Sequence, residues 1–314
     1  MRRRTYLKTL AASTATVGLA GCGGDGGDSS SGSDSSDGSS GSDSGDGGDG
    51  SDGGESGGGD AESGGGEDNP FGLENGVVTI GSDIPYKPFE YRTEDGELTG
   101  FDPEIAGAIF EEEMGLDYEF QKTAWDGIIA SLNNANFRVI MSAMTINDER
   151  DQQVDFSDPY FTAYQTVATL ENSDISSKGD LKGRTVGVQK GTTGEGAAEQ
   201  VKTEFGGDLE IQSYDQITGA FDALINGQVA AVVNDNTVNV QFADDRDAVV
   251  MLQGEGAAVE AGQDAPDYLT LTVENYGIAF REDDDAFTQA VDDALAAVKE
   301  SGRYDEIYSK YFAG

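Results

Sequence analysis

Arg150 closes the string Thr145-Ile146-Asn147-Asp148-Glu149-Arg150, and its planar guanidinium can grip a carboxylate through two charge-assisted hydrogen bonds. A surface pair with Asp148 or Asp151, worth little, is the competing role. Asp235 follows the apolar run Val229 to Val233, where an open α/β sheet presents ligand groups at the carboxyl ends of its strands. It would serve equally as the N-cap of the helix after it. Gly191-Thr192-Thr193-Gly194 opens another helix, so its N–H groups and the positive helix end can face an anion. The string lacks the Gly-Lys-Ser/Thr ending that a phosphate loop requires. The chain has no histidine and one cysteine, Cys22. Zinc catalysis and a Cys–His nucleophile are therefore implausible, and no D-x-[DN]-x-[DN]-G calcium loop is present.

The elements that must position these residues alternate from Val77 onward, short apolar runs with amphipathic segments, which is an α/β pattern. Strands are predicted at Val77 to Ile80, Phe89 to Tyr91, Phe137 to Met141, Thr185 to Val188, Leu209 to Ile211, Val229 to Val233 and Tyr276 to Phe280. Helix 102–114 has Asp102 as its N-cap, Pro103 in its first turn and Gly115 as its stop. Further helices are expected over 125–133, 195–205, 216–226, after Asp235, and over 284–301. A last aromatic-rich helix carries Tyr304, Ile307, Tyr308 and Phe312. Phe89 and Phe101 read as core. Roughly 245 ordered residues exceed what one core usually supports, so two α/β lobes are expected.

The first 22 residues read differently. Arg3-Arg4-Thr5-Tyr6-Leu7-Lys8 resembles a twin-arginine export signal, and Leu19-Ala20-Gly21-Cys22 resembles a lipobox that leaves Cys22 as a lipidated N-terminus. The stretch is too short to span a bilayer. Residues 23–70, almost all Gly, Ser, Asp and Glu at first, are expected to form a disordered acidic linker averaging roughly 37 Å end to end. A membrane-anchored protein on the extracellular face follows. Losing Arg2, Arg3, Arg4 and Lys8 with the signal leaves 15 basic residues against 60 acidic ones, a formal charge of about −45. That excludes nucleic acid as a partner. Self-repulsion on this scale suits high salt, where at about 1 M the screening length shrinks to roughly 3 Å, so the chain reads as a halophilic acidic protein.

A family resemblance rests on colinear strings: Ile80-Gly81-Ser82-Asp83, Tyr86-Lys87-Pro88-Phe89-Glu90, Gly100-Phe101-Asp102, Trp125-Asp126-Gly127-Ile128-Ile129, Met144 to Arg150, Asp155 to Tyr160, Asp180-Leu181-Lys182-Gly183, Val186 to Thr193, Ala231 to Asp235, and Tyr276 to Phe280. Over 77–314 the chain resembles the polar-amino-acid-binding proteins of ABC importers, solute-binding family 3. The resemblance implies a periplasmic-binding-protein-like fold with two mixed or parallel sheets flanked by helices. Lobe 1 would be 77–160 plus 277–314, and lobe 2 165–271, joined by hinges near 160–164 and 272–276. The stretch 243–269 departs from the family pattern, being longer and more acidic.

By the same resemblance an amino acid is held by Asp83, Tyr86, Trp125, Ala143, Thr145, Arg150, Gln189, Thr192, Thr193 and Asp235. Arg150 and Thr145 take the carboxylate, with Thr192 and Thr193 facing it from lobe 2. Asp235 and the Ala143 carbonyl take the ammonium, and Tyr86 and Trp125 sandwich the side chain. Asp83 meets side-chain donors, or is a turn residue before Pro85. The expected partners are the amino acid, an ABC permease and the membrane through the lipid. The protein is expected to be a monomer without cofactor, metal or catalytic residue. Two rivals share the fold: a cyclohexadienyl dehydratase-like lyase, and a ligand-sensing module for a receptor.

Overall fold

The computed structural model describes residues 70–263 and 266–312, which belong to a single compact unit. The expected signal 1–22, Cys22 and, except for Pro70, the linker 23–70 lie outside the described residues. The fold is two-lobed α/β. One five-stranded sheet runs Asp117–Lys122, Val77–Ser82, Val139–Ile140, Ala279–Phe280, Asp155–Phe156. Its first three strands are parallel, and Ala279–Phe280 is antiparallel to both its neighbours. The other sheet runs Glu210–Tyr214, Thr185–Gln189, Ala231–Asp235, Gln165–Leu170, Val249–Met251. Its first three strands are again parallel and its last two pair antiparallel. Between the sheets in chain order lies a two-stranded hinge pair, Phe161–Ala163 with Glu274–Tyr276.

Local sequence explains the central strands. Val78 and Ile80 are fully buried, and Gly81 between strand and pocket leaves room for the Phe137 ring, which an added Cβ would meet at 2.3 Å. Helix Asp285–Glu300 buries Phe287, Val291, Leu295 and Val298, one stripe at helical spacing. Each such side chain contributes about 1.5–3 kcal/mol relative to exposure. Phe89 and Phe101 are core, and Phe312 of the terminal helix Arg303–Phe312 packs on them, with ring centroids at 5.6 and 5.0 Å.

Several expectations are corrected. Asp102 is not an N-cap: the helix begins at Phe101, Gly100 takes the cap position, and the Asp102 side chain is buried against Ala143 and Tyr160. Beyond Ala106 the same helix widens into a π-helical stretch, Gly107–Glu113. The predicted strand Phe89 to Tyr91 shrinks to Tyr91–Arg92 with an isolated bridge at Glu90, because Glu90 turns its carboxyl into the core. Phe137 to Met141 shrinks to Val139–Ile140. Tyr276 to Phe280 splits in two at Gly277, where a Cβ would press on Ile146 at 2.9 Å; Tyr276 ends the hinge strand and Ala279–Phe280 rejoins the first sheet. Two six-residue strands were not foreseen, Asp117–Lys122 and Gln165–Leu170, nor were the short strands Leu98–Thr99, Asp155–Phe156 and Val249–Met251. The stretch 243–269 supplies the edge strand Val249–Met251 and the short helix Ala257–Glu260.

Candidate ligand-binding site

Strand ends and helix starts converge on a cavity between the sheets. All ten residues anticipated from sequence line it, together with Ser142, Gln165 and Asn234. Arg150 ends the turn after Thr145, where Asn147 Oδ1 accepts its backbone N–H at 2.9 Å. Its side chain turns inward, 7% exposed, and Nη1 donates to the Thr145 carbonyl at 2.8 Å. The guanidinium carbon lies 5.0 Å from the Trp125 ring centroid. This is a buried, aromatic-backed cation and not a surface partner of Asp148 or Asp151. Burial lowers its pKa, while the charges of Glu274 and Asp235 act to raise it.

Asp235 closes its strand and occupies the N-cap position of helix Asn236–Asp245, yet its side chain makes no capping bond. The carboxyl instead faces the cavity, 6% exposed. It accepts from Gln165 Nε2 at 2.5 Å and from the Tyr86 hydroxyl. Gln165 is delivered by register, since it pairs directly opposite Asp235 across the antiparallel ladder. Burial, with repulsion from Glu274 next, pushes the Asp235 pKa up to about 7.

Asp83 accepts from Gln189 Nε2 at 2.7 Å and Gln216 Nε2 at 3.0 Å. Burial raises its pKa and the two amides oppose the rise. Thr192 caps helix Thr193–Glu204 by accepting from Glu195 N at 3.3 Å, and its own proton goes to the Gln189 carbonyl at 2.8 Å. Its hydroxyl is committed to the turn, leaving the cavity to Thr193. Trp125 Nε1 donates to the Gly191 carbonyl at 2.9 Å, so the indole ties the two sides of the cleft. With Asp83 on Gln189 and Tyr86 on Asp235, that contact describes a closed cleft.

The pocket floor is built from below. Ala143 has φ +47°, an unusual conformation for a residue with a Cβ. Its N–H donates to Asp102 Oδ2 at 2.9 Å, and Asp102 also accepts from the Tyr160 hydroxyl at 3.0 Å. Ser142 Oγ donates to Glu90 Oε1 at 2.6 Å and accepts from the Asp83 N–H at 2.9 Å. Glu90 and Asp102 are wholly buried. Burial and then the Asp102 charge hold the Glu90 carboxyl well above the usual range, and burial brings Asp102 to about 6.

Sequence reasoning missed Ser142, Gln165, Asn234 and Glu274. Glu274 Oε2 accepts from Thr145 Oγ1 at 2.6 Å and Thr193 Oγ1 at 2.7 Å. The only available signal was its place beside Asn275-Tyr276-Gly277, inside the expected hinge.

Residues 78–314 match the bacterial extracellular solute-binding proteins, family 3. The chain belongs to that family. This solute-binding protein is 34% identical over 242 residues to a probable histidine-binding protein of Neisseria gonorrhoeae, covering 76% of the chain and 83% of the relative. Its fold is similar to that of the arginine-, lysine-, histidine-binding protein ArtJ of Geobacillus stearothermophilus, with a TM-score of 0.65, 34% identity, and coverage of 76% and 96%. An ancestral amino acid-binding protein, described as a precursor of cyclohexadienyl dehydratase, is similar at a TM-score of 0.65 and 37% identity, with the same coverage.

Proposed function

We propose that this solute-binding protein closes its lobes on a polar or basic amino acid and delivers it to the permease of an ABC importer. One observation carries the reading: Arg150, from the segment that follows one sheet's strand Val139–Ile140, and Asp235, from the other sheet, line the same cavity and their charges interact. A zwitterion has the complementary charges. The carboxylate meets Arg150, a fork suited to bidentate hydrogen bonding. The ammonium meets Asp235 and the carbonyl of Ala143. Asp83 adds a second anion to the cavity wall, which favours a cationic or N–H-rich side chain, stacked beside Trp125 and Tyr86. The histidine-binding and arginine-, lysine-, histidine-binding relatives agree with that class.

Ligand contacts to both lobes favour the closed state, and closure is what a permease reads. Lipid on Cys22 tethers a monomer to the outer face of the membrane, and mass spectrometry of the mature N-terminus tests it. For the ligand, a thermal-shift screen of the twenty amino acids in about 1 M salt should raise the melting temperature for basic ones. No shift with any amino acid overturns the reading. A lyase is the second reading, favoured by the likeness to the dehydratase precursor. Turnover of prephenate or arogenate would establish it.

A further inference from the structure

Glu274 stands on the hinge strand Glu274–Tyr276 and is 7% exposed. Its Oε2 takes the hydroxyl protons of Thr145, beside Arg150, and Thr193, at the start of the facing helix, at 2.6 and 2.7 Å. Gln165 Nε2 donates to the same oxygen at 3.3 Å, and Thr272 Oγ1 to Oε1 at 2.9 Å. Under the amino acid reading, on which this inference rests, Thr145 gives a hydroxyl to the ligand carboxylate, and Thr193 faces the same carboxylate from the start of its helix. A hydroxyl has one proton. With both protons directed at Glu274, and Thr193 Oγ1 also accepting from Gln165 Nε2 at 3.2 Å, neither hydroxyl has a proton left to donate to a ligand carboxylate. The Glu274 charge also acts on Arg150, the cation the same carboxylate needs.

We propose that Glu274 is an internal occupant of the carboxylate seat: it competes with the ligand's α-carboxylate for the hydroxyls of Thr145 and Thr193 and for the field of Arg150. Binding an amino acid then requires those hydroxyls to be released from Glu274. The residue tempers affinity for every ligand bearing that carboxylate, and leaves ligands without it untouched. An alternative role for the same contacts is a clasp, in which Glu274 holds Thr145 and Thr193 together and supports closure. The two roles predict opposite signs.

The test is calorimetric titration of wild type, Glu274→Gln and Glu274→Ala with L-arginine, L-lysine and L-histidine. Each is paired with its decarboxylated counterpart: agmatine, cadaverine or histamine. Gln preserves the size of the side chain, so its result stands if the Ala variant fails to fold. For whichever amino acid wild type binds, the variants should bind about tenfold more tightly, the order of one hydrogen bond to a charged group. The decarboxylated amine should gain less than about twofold, undetectable binding in all forms counting as no gain. Weaker amino acid binding by the variants, or an equal gain for the amine, overturns the inference and leaves the function standing. Where wild type binds none of the three, the same pairing is made with the amino acid that the thermal-shift screen identifies; absence of a ligand among all twenty overturns both.

Discussion

Glu90 and Asp102 lie beneath the pocket floor with no exposure at all, whereas Asp235 and Glu274 are nearly as deep but act within the field of Arg150, Asp235 lining the cavity and Glu274 holding two residues that line it. The first pair meets only neutral donors, the Ser142 hydroxyl at Glu90 Oε1 and the Ala143 N–H and Tyr160 hydroxyl at Asp102, and Glu90 Oε2 is left without a hydrogen bond. Two carboxyls so placed cannot both ionise cheaply, and burial favours the protonated form of each; they bear on the cavity through residues 142–143, to which they bond. The second pair answers to a charge. Its members are positioned where an incoming ammonium or carboxylate changes their energy directly. Burial alone therefore does not mark a binding carboxylate; the partner available to it does.

The largest expected effect breaks the cavity side of this contrast. Arg150→Ala removes one member of a buried charged set, and losing it should cost about 3–5 kcal/mol of ligand affinity, abolishing binding in a micromolar titration. Retained affinity would mean that the cavity is not the binding site.

Next comes pH. Asp235 needs its charged form to meet an ammonium, and its pKa in the free protein stands at about 7. Affinity should therefore weaken as pH falls below about 7, by up to about tenfold per unit, and Asp235→Asn should flatten the slope. Titrations between pH 5.5 and 8.5 check this.

The floor pair should respond in stability. Asp102 binds its proton more tightly when folded, near 6 against 3.8, so its contribution to stability is greatest at low pH and declines as pH rises from about 4 to about 6. Glu90, held well above its usual range by burial, adds to the same decline; Glu90→Gln removes that contribution and should shrink the total while ligand affinity stays within about twofold. Urea unfolding across that range in about 1 M salt measures it. If Glu90→Gln damages affinity as much as Asp235→Asn, the contrast between the regions fails.

The smallest effect belongs to Trp125→Phe. It weakens the aromatic backing of Arg150 and deletes the bond to the Gly191 carbonyl, and should reduce affinity by about threefold to tenfold. A calorimetric titration of the folded variant checks it.

Part of this arrangement was legible along the chain. Helix Thr193–Glu204 announces itself by Thr192 and the glycines around it, and helix Asp285–Glu300 by its apolar stripe. Strand Asp117–Lys122 was overlooked because it lies at a sheet edge and its alternation rests on two aromatics alone, Tyr118 and Phe120, which pack partly buried on the core. Gln165–Leu170 was hidden for the opposite reason. Buried on both faces between two partners, it carries Gln165, Thr166 and Thr169, polar residues satisfied by neighbours far away in sequence.

Residue types and short spacings by themselves determined which groups could meet a zwitterion: a guanidinium at Arg150, an acid at Asp235, and a helix start at Thr192 and Thr193. They also established family membership, since colinear short strings survive where single residues drift. Tertiary structure alone decided which competing role each group adopts. Asp102 could cap a helix or hold Ala143 at positive φ, and the choice depends on a loop 41 residues away. Asp235 could cap or face the cavity, and ladder register against Gln165 settles it, some 70 residues back. Glu274 meets Thr145 and Thr193 across separations of 129 and 81 residues. Hydrogen bonds and charge act through space, and only the folded chain sets those distances.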